Sequence, residues 1–428
     1  MRVFTYYRWT QFAIVGSLYF LVCLHRVSPT VIARDLAISF NADAVVLGII
    51  ASSYFYLYSA VQPVVGYLSD TIGPRKVITY FSVLAAIGAL IFGTAPNATV
   101  AALGRSVVGA GVGGVFIPSL KLFSQWYRVN EFASLTGIMI AIGGIGALAA
   151  ALPLTYMVLL CGWRGSFIGL GLLSLVLAII CWIIIRDTPA AKGWPLLSSH
   201  EGETTETQEQ AILHHPTLRK RLKMIVRSLD FWMITLSMFF TGGVFLTFQG
   251  LWAVPCLMDV FHLSRVHAGW LLMILPLGFA VGGPALGFFT DRLNLNRKTV
   301  LLWAIGLSML GWMVLLFFHG HVHIVVACLF FLIFGLSAGG TLPICFTITR
   351  DLFPPWLMGT AVGLMNPSAF FGAALYQPFS GYLLNSFTGL TPGSYTMEAY
   401  RHLFMVFLIS YAASFLCILF LSHQKRSA

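Results

Sequence analysis

The chain has 428 residues, of which 58% are hydrophobic and only 9% charged, and its mean hydropathy is +0.87. A soluble domain carries roughly 25% charged residues, so a water-soluble globular fold is excluded and the bilayer is the solvent. The 25 Lys and Arg outnumber the 14 Asp and Glu, an excess that has to be tested as membrane topology before it is read as affinity for nucleic acid.

Arg2 and Arg8 precede a first apolar stretch at 9–31, with no small-residue cleavage pattern behind a short apolar segment, so the first helix is read as uncleaved. Further stretches follow at 44–66, 77–95, 99–125, 133–159, 165–185, 231–257, 266–289, 299–318, 323–348, 357–384 and 401–421. A spanning helix needs about 20 apolar residues. The pattern therefore predicts an all-α membrane protein of twelve transmembrane helices, with no room for a large soluble domain. With both termini inside, eighteen Lys and Arg fall on inner connections, against only Arg34, Arg164, Arg265 and Arg401 on outer ones. That bias accounts for most of the basic excess without nucleic acid. The remaining cations, Arg26, Arg105 and Lys121, fall within spans.

The longest connection, 187–229, carries the acids Glu201, Glu203, Glu206 and Glu209 and ends in a basic run at 219–227. It separates a six-helix bundle at 1–186 from a second at 230–428. The halves echo one another. GYLSDTIGPRK at 66–76 is answered by GFFTDRLNLNRK at 287–298, each after the second helix of its half. Gly109, Gly111, Gly113, Gly114 and Pro118 in span 4 recur as Gly335, Gly339, Gly340 and Pro343 in span 10. Gly137, Gly146 and Pro153 in span 5 recur as Gly359, Gly372 and Pro378 in span 11. A common offset of about 220 residues is what a duplicated six-helix unit produces. Glycines four apart let helices approach where lipid gives no drive to pack, and prolines inside spans free carbonyls that must find partners in protein or a wet cavity.

These residues resemble the major facilitator superfamily along the whole chain. Gly66, Asp70, Gly73, Arg75 and Lys76 match its GxxxDxxGxRK signature between helices 2 and 3; the second copy keeps Asp291, Arg292, Arg297 and Lys298 but has one extra residue and no internal glycine. RSVVGAGVGGVFIP at 105–118 is similar to the family's helix 4 motif. The resemblance implies two pseudo-symmetric six-helix bundles, alternating access, a small-molecule substrate and no cofactor. It also assigns Asp70, Arg75, Lys76, Asp291, Arg297 and Lys298 to gating, with Asp70 accepting hydrogen bonds from a helix N-terminus.

All fourteen acids can be placed near span ends or in connections, so the membrane core is expected to hold cations without carboxylate partners. An intramembrane Arg costs at least ~2.5 kcal/mol on the insertion scale and is by default a functional candidate. Arg26, about six residues from the outer end of helix 1, and Arg105, about as far into helix 4, would lie at similar depth and could together hold a carboxylate or phosphate through forked hydrogen bonds. The competing reading ties Arg105 to neighbouring backbone carbonyls, lets Arg26 snorkel outward, and sends Lys121 to the inner surface. An Arg in helix 1 with one in helix 4 is similar to the organic-anion branch of the superfamily. Its proton-coupled members carry an acid before the helix 1 Arg, where this chain has His25, and a further acid in helix 4, where Val112 and Gly113 stand. His25 is therefore the candidate coupling group in place of those acids, with a proton or sodium as the coupling ion.

Tyr54, Tyr58 and Gln62 share one face of helix 2 at spacing four, either as hydrogen-bonding phenols or as packing. Gln249 in span 7 and Asn366 in span 11 are amides in apolar surroundings and candidate ligand contacts, with Tyr376 and Gln377 behind them. No nucleotide-binding phosphate loop occurs. His319, His321 and His323 alternate in an outer loop without a Cys or acid to complete a metal site, and the seven cysteines are read as small buried apolar residues. The leading function is a secondary transporter of a small polar solute, an organic anion; the alternatives are an amino-acid or short-peptide transporter and a non-transporting sensor. No nucleophile, base or metal cluster suggests an enzyme. A bacterial inner membrane, cytoplasmic termini and a monomer complete the expectation.

Overall fold

A computed structural model describes residues 2–194, 218–292, 295–317, 323–386 and 393–422. The four linker glutamates, His319 and His321 lie outside the described residues. Two compact units emerge, Met1–Phe40 with Ile49–His214, and Asn41–Gly48 with His215–Ala428. The described residues form helices and connections and no β-strand.

In the first unit, α1 (Arg2–Val27) is followed by α2 (Pro29–Phe40). Pro29 lacks an N–H and cannot continue the ladder, but it is well suited to the first turn of a new helix. The chain thus stays helical well past the end expected at 31. Arg34 and Asp35, expected in an outer connection, are half-buried inside α2, and Arg26 stands further from the outer end than the sequence suggested. Span 2 is α3 (Ala44–Ile72), belonging to this unit from Ile49 on, and span 3 is α4 (Pro74–Gly93). Span 4 is divided at its glycines into α5 (Ala98–Gly113) and α6 (Phe116–Trp126). Span 5 runs through α7 (Val129–Ala149) into α8 (Leu152–Ile184), which turns sharply at Gly162, where φ is 68°, to become span 6.

In the second unit, α9 (Leu218–Val226) precedes α10 (Leu229–Thr247), a π turn at Phe248–Trp252 and α11 (Ala253–Val260), which together make span 7. Span 8 is α12 (Arg265–Leu272) and α13 (Ile274–Arg292), span 9 is α14 (Arg297–Phe317) and span 10 is α15 (Ile324–Leu352). Span 11 is α16 (Pro355–Met365) and α17 (Pro367–Asn385), meeting at Asn366; span 12 is α18 (Met397–Leu419). Ten helical segments among the described residues are long and apolar enough to cross a membrane. The joined shorter helices of spans 5 and 11 complete the twelve.

The glycine repeat has a structural counterpart in each unit. A Cβ on Gly109 of span 4 would collide with the Tyr54 carbonyl of span 2, and one on Gly339 of span 10 with the Phe279 carbonyl of span 8. Gly146 of span 5 meets the Phe20 carbonyl of span 1 in the same way, and Gly372 of span 11 meets that of Phe239 in span 7. Equivalent helices thus press backbone to backbone at equivalent places, which only glycine permits.

Candidate functional site

The first unit's buried charge begins with a backbone defect. In a continuous helix the carbonyl of His25 would accept from the amide of residue 29, and Pro29 has none. Two groups fill the gap: Ser28 Oγ donates to the His25 carbonyl at 3.0 Å, and Arg105 Nη1 donates to it from α5 at 2.9 Å. Arg105 is fully buried, and its Nε and Nη2 have no hydrogen-bond partner. The tie from helix 4 to a backbone carbonyl, one of the two sequence readings for Arg105, is therefore present, and it leaves part of the guanidinium's donor capacity unused.

Around this tie stands a stack of rings. Tyr54 and Tyr58 of α3 are parallel, with centroids 5.8 Å apart and planes within 9°. The Arg105 guanidinium lies 4.9 Å from the Tyr54 centroid and 5.9 Å from that of Phe92. Arg26, half-buried, lies 5.5 Å from the Tyr58 centroid, with Nη2 3.5 Å from the Tyr58 hydroxyl. The two cations thus occupy successive levels of one phenol stack, a helical turn apart, each gaining the ring-face attraction that strengthens when water is excluded. The phenol face read from the sequence is here both packing and cation support. The His25 side chain is fully buried, 6.1 Å from the Phe167 ring centroid, with neither ring nitrogen hydrogen-bonded. Among the described residues no Asp or Glu is fully buried, so this interior is electropositive.

In the second unit Gln249 is 4% exposed and lies within the π turn at Phe248–Trp252, a distortion that often marks functional sites in helices. Trp252 Nε1 donates to Ser380 Oγ at 2.6 Å, fastening the turn to α17. Asn366 is the half-buried junction of α16 and α17. Tyr376 is engaged with Ser410 Oγ at 2.6 Å, and Gln377 is buried with its Oε1 unpartnered. The buried polar side chains of this unit are uncharged among the described residues.

The gating candidates have specific partners. Asp70 pairs with Lys121 of α6, so Lys121 reaches a carboxylate and not merely the inner surface. Asp187 accepts from a helix N-terminus: its Oδ1 takes the Arg75 amide in the first turn of α4 at 2.7 Å. The Arg75 guanidinium turns to the Trp182 carbonyl, with Nη2 at 2.6 Å, over the Trp182 ring at 4.4 Å. Lys76 is exposed. Arg297 pairs with Asp351, and Lys298 Nζ donates to the carbonyls of Leu419 and Leu421 at 2.8 and 2.7 Å, closing the end of α18. Asp291 stands in the last turn of α13. The seven cysteines are free; contrary to the expectation of burial, Cys161, beside the sharp turn at Gly162, is exposed, and Cys328 and Cys417 are half-buried. His323 caps α15, its Nδ1 accepting from the Val325 amide at 3.3 Å, and no metal-binding cluster occurs among the described residues.

Sequence reading missed two of these contacts for which a signal existed. Pro29, four residues after His25, marks the carbonyl that Arg105 serves. Glu131, three residues after Arg128 at the start of α7, is a capping position: it accepts from the Arg128 amide at 3.0 Å and from both terminal nitrogens of Arg8 at 3.1 and 2.9 Å. No local pattern announced Asp187.

Repeated helical units, glycine-paired spans and a buried cation cluster define a multi-pass integral membrane protein of transporter type. The sequence pattern of the Major Facilitator Superfamily matches residues 15–254 and 250–428, and the chain belongs to that superfamily. It is similar to the hexuronate transporter of Escherichia coli (strain K12), 26% identical over 92% of this chain and 91% of that one. It is similar also to a probable sulfoacetate transporter of Cupriavidus necator, 26% identical over 88% of this chain and 87% of the other. Its fold is like that of a D-xylose-proton symporter, with a TM-score of 0.72 over 96% of this chain and 95% of that one, at 16% identity.

Proposed function

We propose that this chain carries a small organic anion across a bacterial cell membrane by alternating access, as a monomer with both termini cytoplasmic. The observation that carries the reading is the fully buried guanidinium of Arg105 in an interior where, among the described residues, no acid is fully buried. A cation kept at that cost favours an anion in the transport path. The names of both relatives specify organic anions, hexuronate and sulfoacetate. The orientation follows from the concentration of Lys and Arg on one set of connections.

In this reading Arg26, backed by the Tyr58 ring and hydroxyl, meets the anion directly. Arg105 holds the broken helix 1 at the His25 carbonyl, keeps Arg26 in register and adds field from below Tyr54. Tyr54, Gln249 and Asn366 supply polar wall to the solute, and Asp70, Arg75, Lys76, Asp291, Arg297 and Lys298 work the inner gate. His25 takes the coupling proton in a state that admits water to its ring; a sodium ion is the alternative driver. The test is uptake by proteoliposomes of labelled hexuronates, sulfoacetate, amino acids and dipeptides, with and without a pH gradient, beside Arg26→Ala. Saturable anion uptake lost in Arg26→Ala is the expected outcome. Uptake of zwitterions that survives the substitution overturns the assignment, and ligand binding without flux identifies a sensor.

A further inference from the structure

The short helix α9 (Leu218–Val226), immediately before span 7, is not used by the transport reading. It rests on α10 and α16. Ile225 is fully buried and Leu222 half-buried, while Arg219, Lys220, Lys223 and Arg227 are all exposed. Arg219, Lys223 and Arg227 are spaced by four, so they form one ridge of the helix, with Lys220 on the neighbouring ridge. The ridge persists past the last helical residue because the Arg227 amide still donates to the Lys223 carbonyl at 3.2 Å.

This charge is not consumed among the described residues. Among the described residues none of these four side chains makes an ion pair. Asp230, three residues beyond Arg227, is engaged instead with the chain just past the end of α18, where it takes the Ser422 amide at 2.9 Å and the Ser422 hydroxyl. Like charges four apart on a helix repel one another, so an isolated solvated helix gains nothing from the pattern.

The depth of the helix is set by its neighbours. Span 7 begins at Leu229, two residues beyond Arg227, and Leu229 and Trp232 are exposed at 68% and 40%. Trp232 Nε1 donates back to the Val226 carbonyl at 2.8 Å, pinning the end of α9 to the first turn of span 7. A tryptophan with an outward apolar face and a satisfied N–H is characteristic of the headgroup level. Met224 and Val226, 46% and 49% exposed, flank the cationic ridge with apolar surface. Cations at headgroup height, bordered by apolar side chains and a Trp, complement phosphate diesters over acyl chains.

We infer that the exposed face of α9 binds anionic phospholipid headgroups at the bilayer surface, tethering spans 7 and 11 to the lipid. Each Lys or Arg close to an anionic surface changes affinity about fivefold, and salt weakens the attraction within a Debye length of about 10 Å at 0.1 M. The test uses the full chain in neutral detergent, with thermal unfolding followed during addition of short-chain phosphatidylglycerol or phosphatidylcholine. Phosphatidylglycerol is expected to raise the midpoint and phosphatidylcholine to leave it unchanged, the gain disappearing at high salt. It should also disappear in Arg219→Gln/Lys220→Gln/Lys223→Gln/Arg227→Gln. Should that variant fail to fold, Lys223→Glu alone, a change at an exposed position, is expected to cut the response severalfold, and Lys223→Arg to keep it. An undiminished response in these charge-removed variants, or equal responses to both lipids, overturns the inference. So does a response that is absent in the full chain but appears once Glu201, Glu203, Glu206 and Glu209 are neutralised, which would identify the chain's own acidic run as the occupant.

Discussion

Replacing Arg105 with Met separates a structural tie from a functional charge. Arg105→Met keeps much of the side-chain volume and removes a buried cation whose cost is ~2.5–3.5 kcal/mol on the insertion scale. Against that relief stands one charge-assisted hydrogen bond, to the His25 carbonyl at 2.9 Å, worth ~1.5–3 kcal/mol. The contact with the Tyr54 face at 4.9 Å adds ~0.5–2 kcal/mol. The His25 carbonyl is not orphaned by the change, since Ser28 Oγ still donates to it at 3.0 Å, so the full penalty of an unsatisfied buried acceptor does not apply. The opposing contributions cancel to within ~2.5 kcal/mol. The expected result is an unfolding midpoint within a few degrees of the parent, together with at least a tenfold loss of initial uptake rate. Arg105→Lys, which keeps the charge and can reach the same carbonyl, should recover a substantial part of that rate. Purified protein would be followed by thermal unfolding in detergent and by uptake into vesicles. Uptake within twofold of the parent in Arg105→Met refutes a role for the buried charge in transport, and a destabilisation above ~4 kcal/mol would make Arg105 chiefly a structural tie.

Further outcomes follow from the inner-end contacts. Partial burial pushes the Glu131 carboxyl up, but the Arg128 amide and the Arg8 guanidinium pull it down further, so its pKa lies below the ordinary value. The stabilisation it provides is therefore complete above about pH 4.3, the unfolded value, and is lost as pH falls through the folded one. Glu131→Gln should flatten that acid-side fall in the unfolding midpoint and cost about 0.5–1 kcal/mol at pH 7. At Gly73, φ 90° and ψ 150° are glycine territory, and a Cβ would lie 2.7 Å from Asp187 Oδ2; Gly73→Ala should destabilise by about 1–3 kcal/mol in a denaturation assay. Asp70→Asn breaks an exposed pair with Lys121 and should cost under ~1 kcal/mol of stability while lowering the maximal uptake rate severalfold at unchanged KM. An unaltered rate would remove Asp70 from the gate.

The particular residues show where sequence reading works and where it stops. The glycine groups of spans 4 and 10, and Gly146 with Gly372, were matched from spacing alone, and members of each press on the backbone of the corresponding neighbouring helices because helix packing in lipid depends on residue size along one face. The spacing of Tyr54 and Tyr58 likewise put them on one face of their helix, and there their rings stack. The extent of helix 1 was misjudged because the apolar stretch stops at 31, ahead of the charged Arg34 and Asp35, whereas Pro29 at a first helical position starts α2 and carries the helix past both. The π turn around Gln249 has no composition of its own, and its bracing by Ser380 comes from another helix.

Composition, the twelve apolar stretches, the concentration of Lys and Arg on one set of connections, the internal repeat and the family motif are all properties that accumulate along the chain, so the sequence by itself determined the solvent, the spans and the superfamily. The partners of the charged groups were decided only in three dimensions. Arg105 meets a carbonyl 80 positions away, Lys121 an acid 51 away, and the Arg75 amide an acid 112 away. Each such donor takes whatever acceptor the helix packing brings within about 3 Å, and no periodicity in the sequence records which one that is.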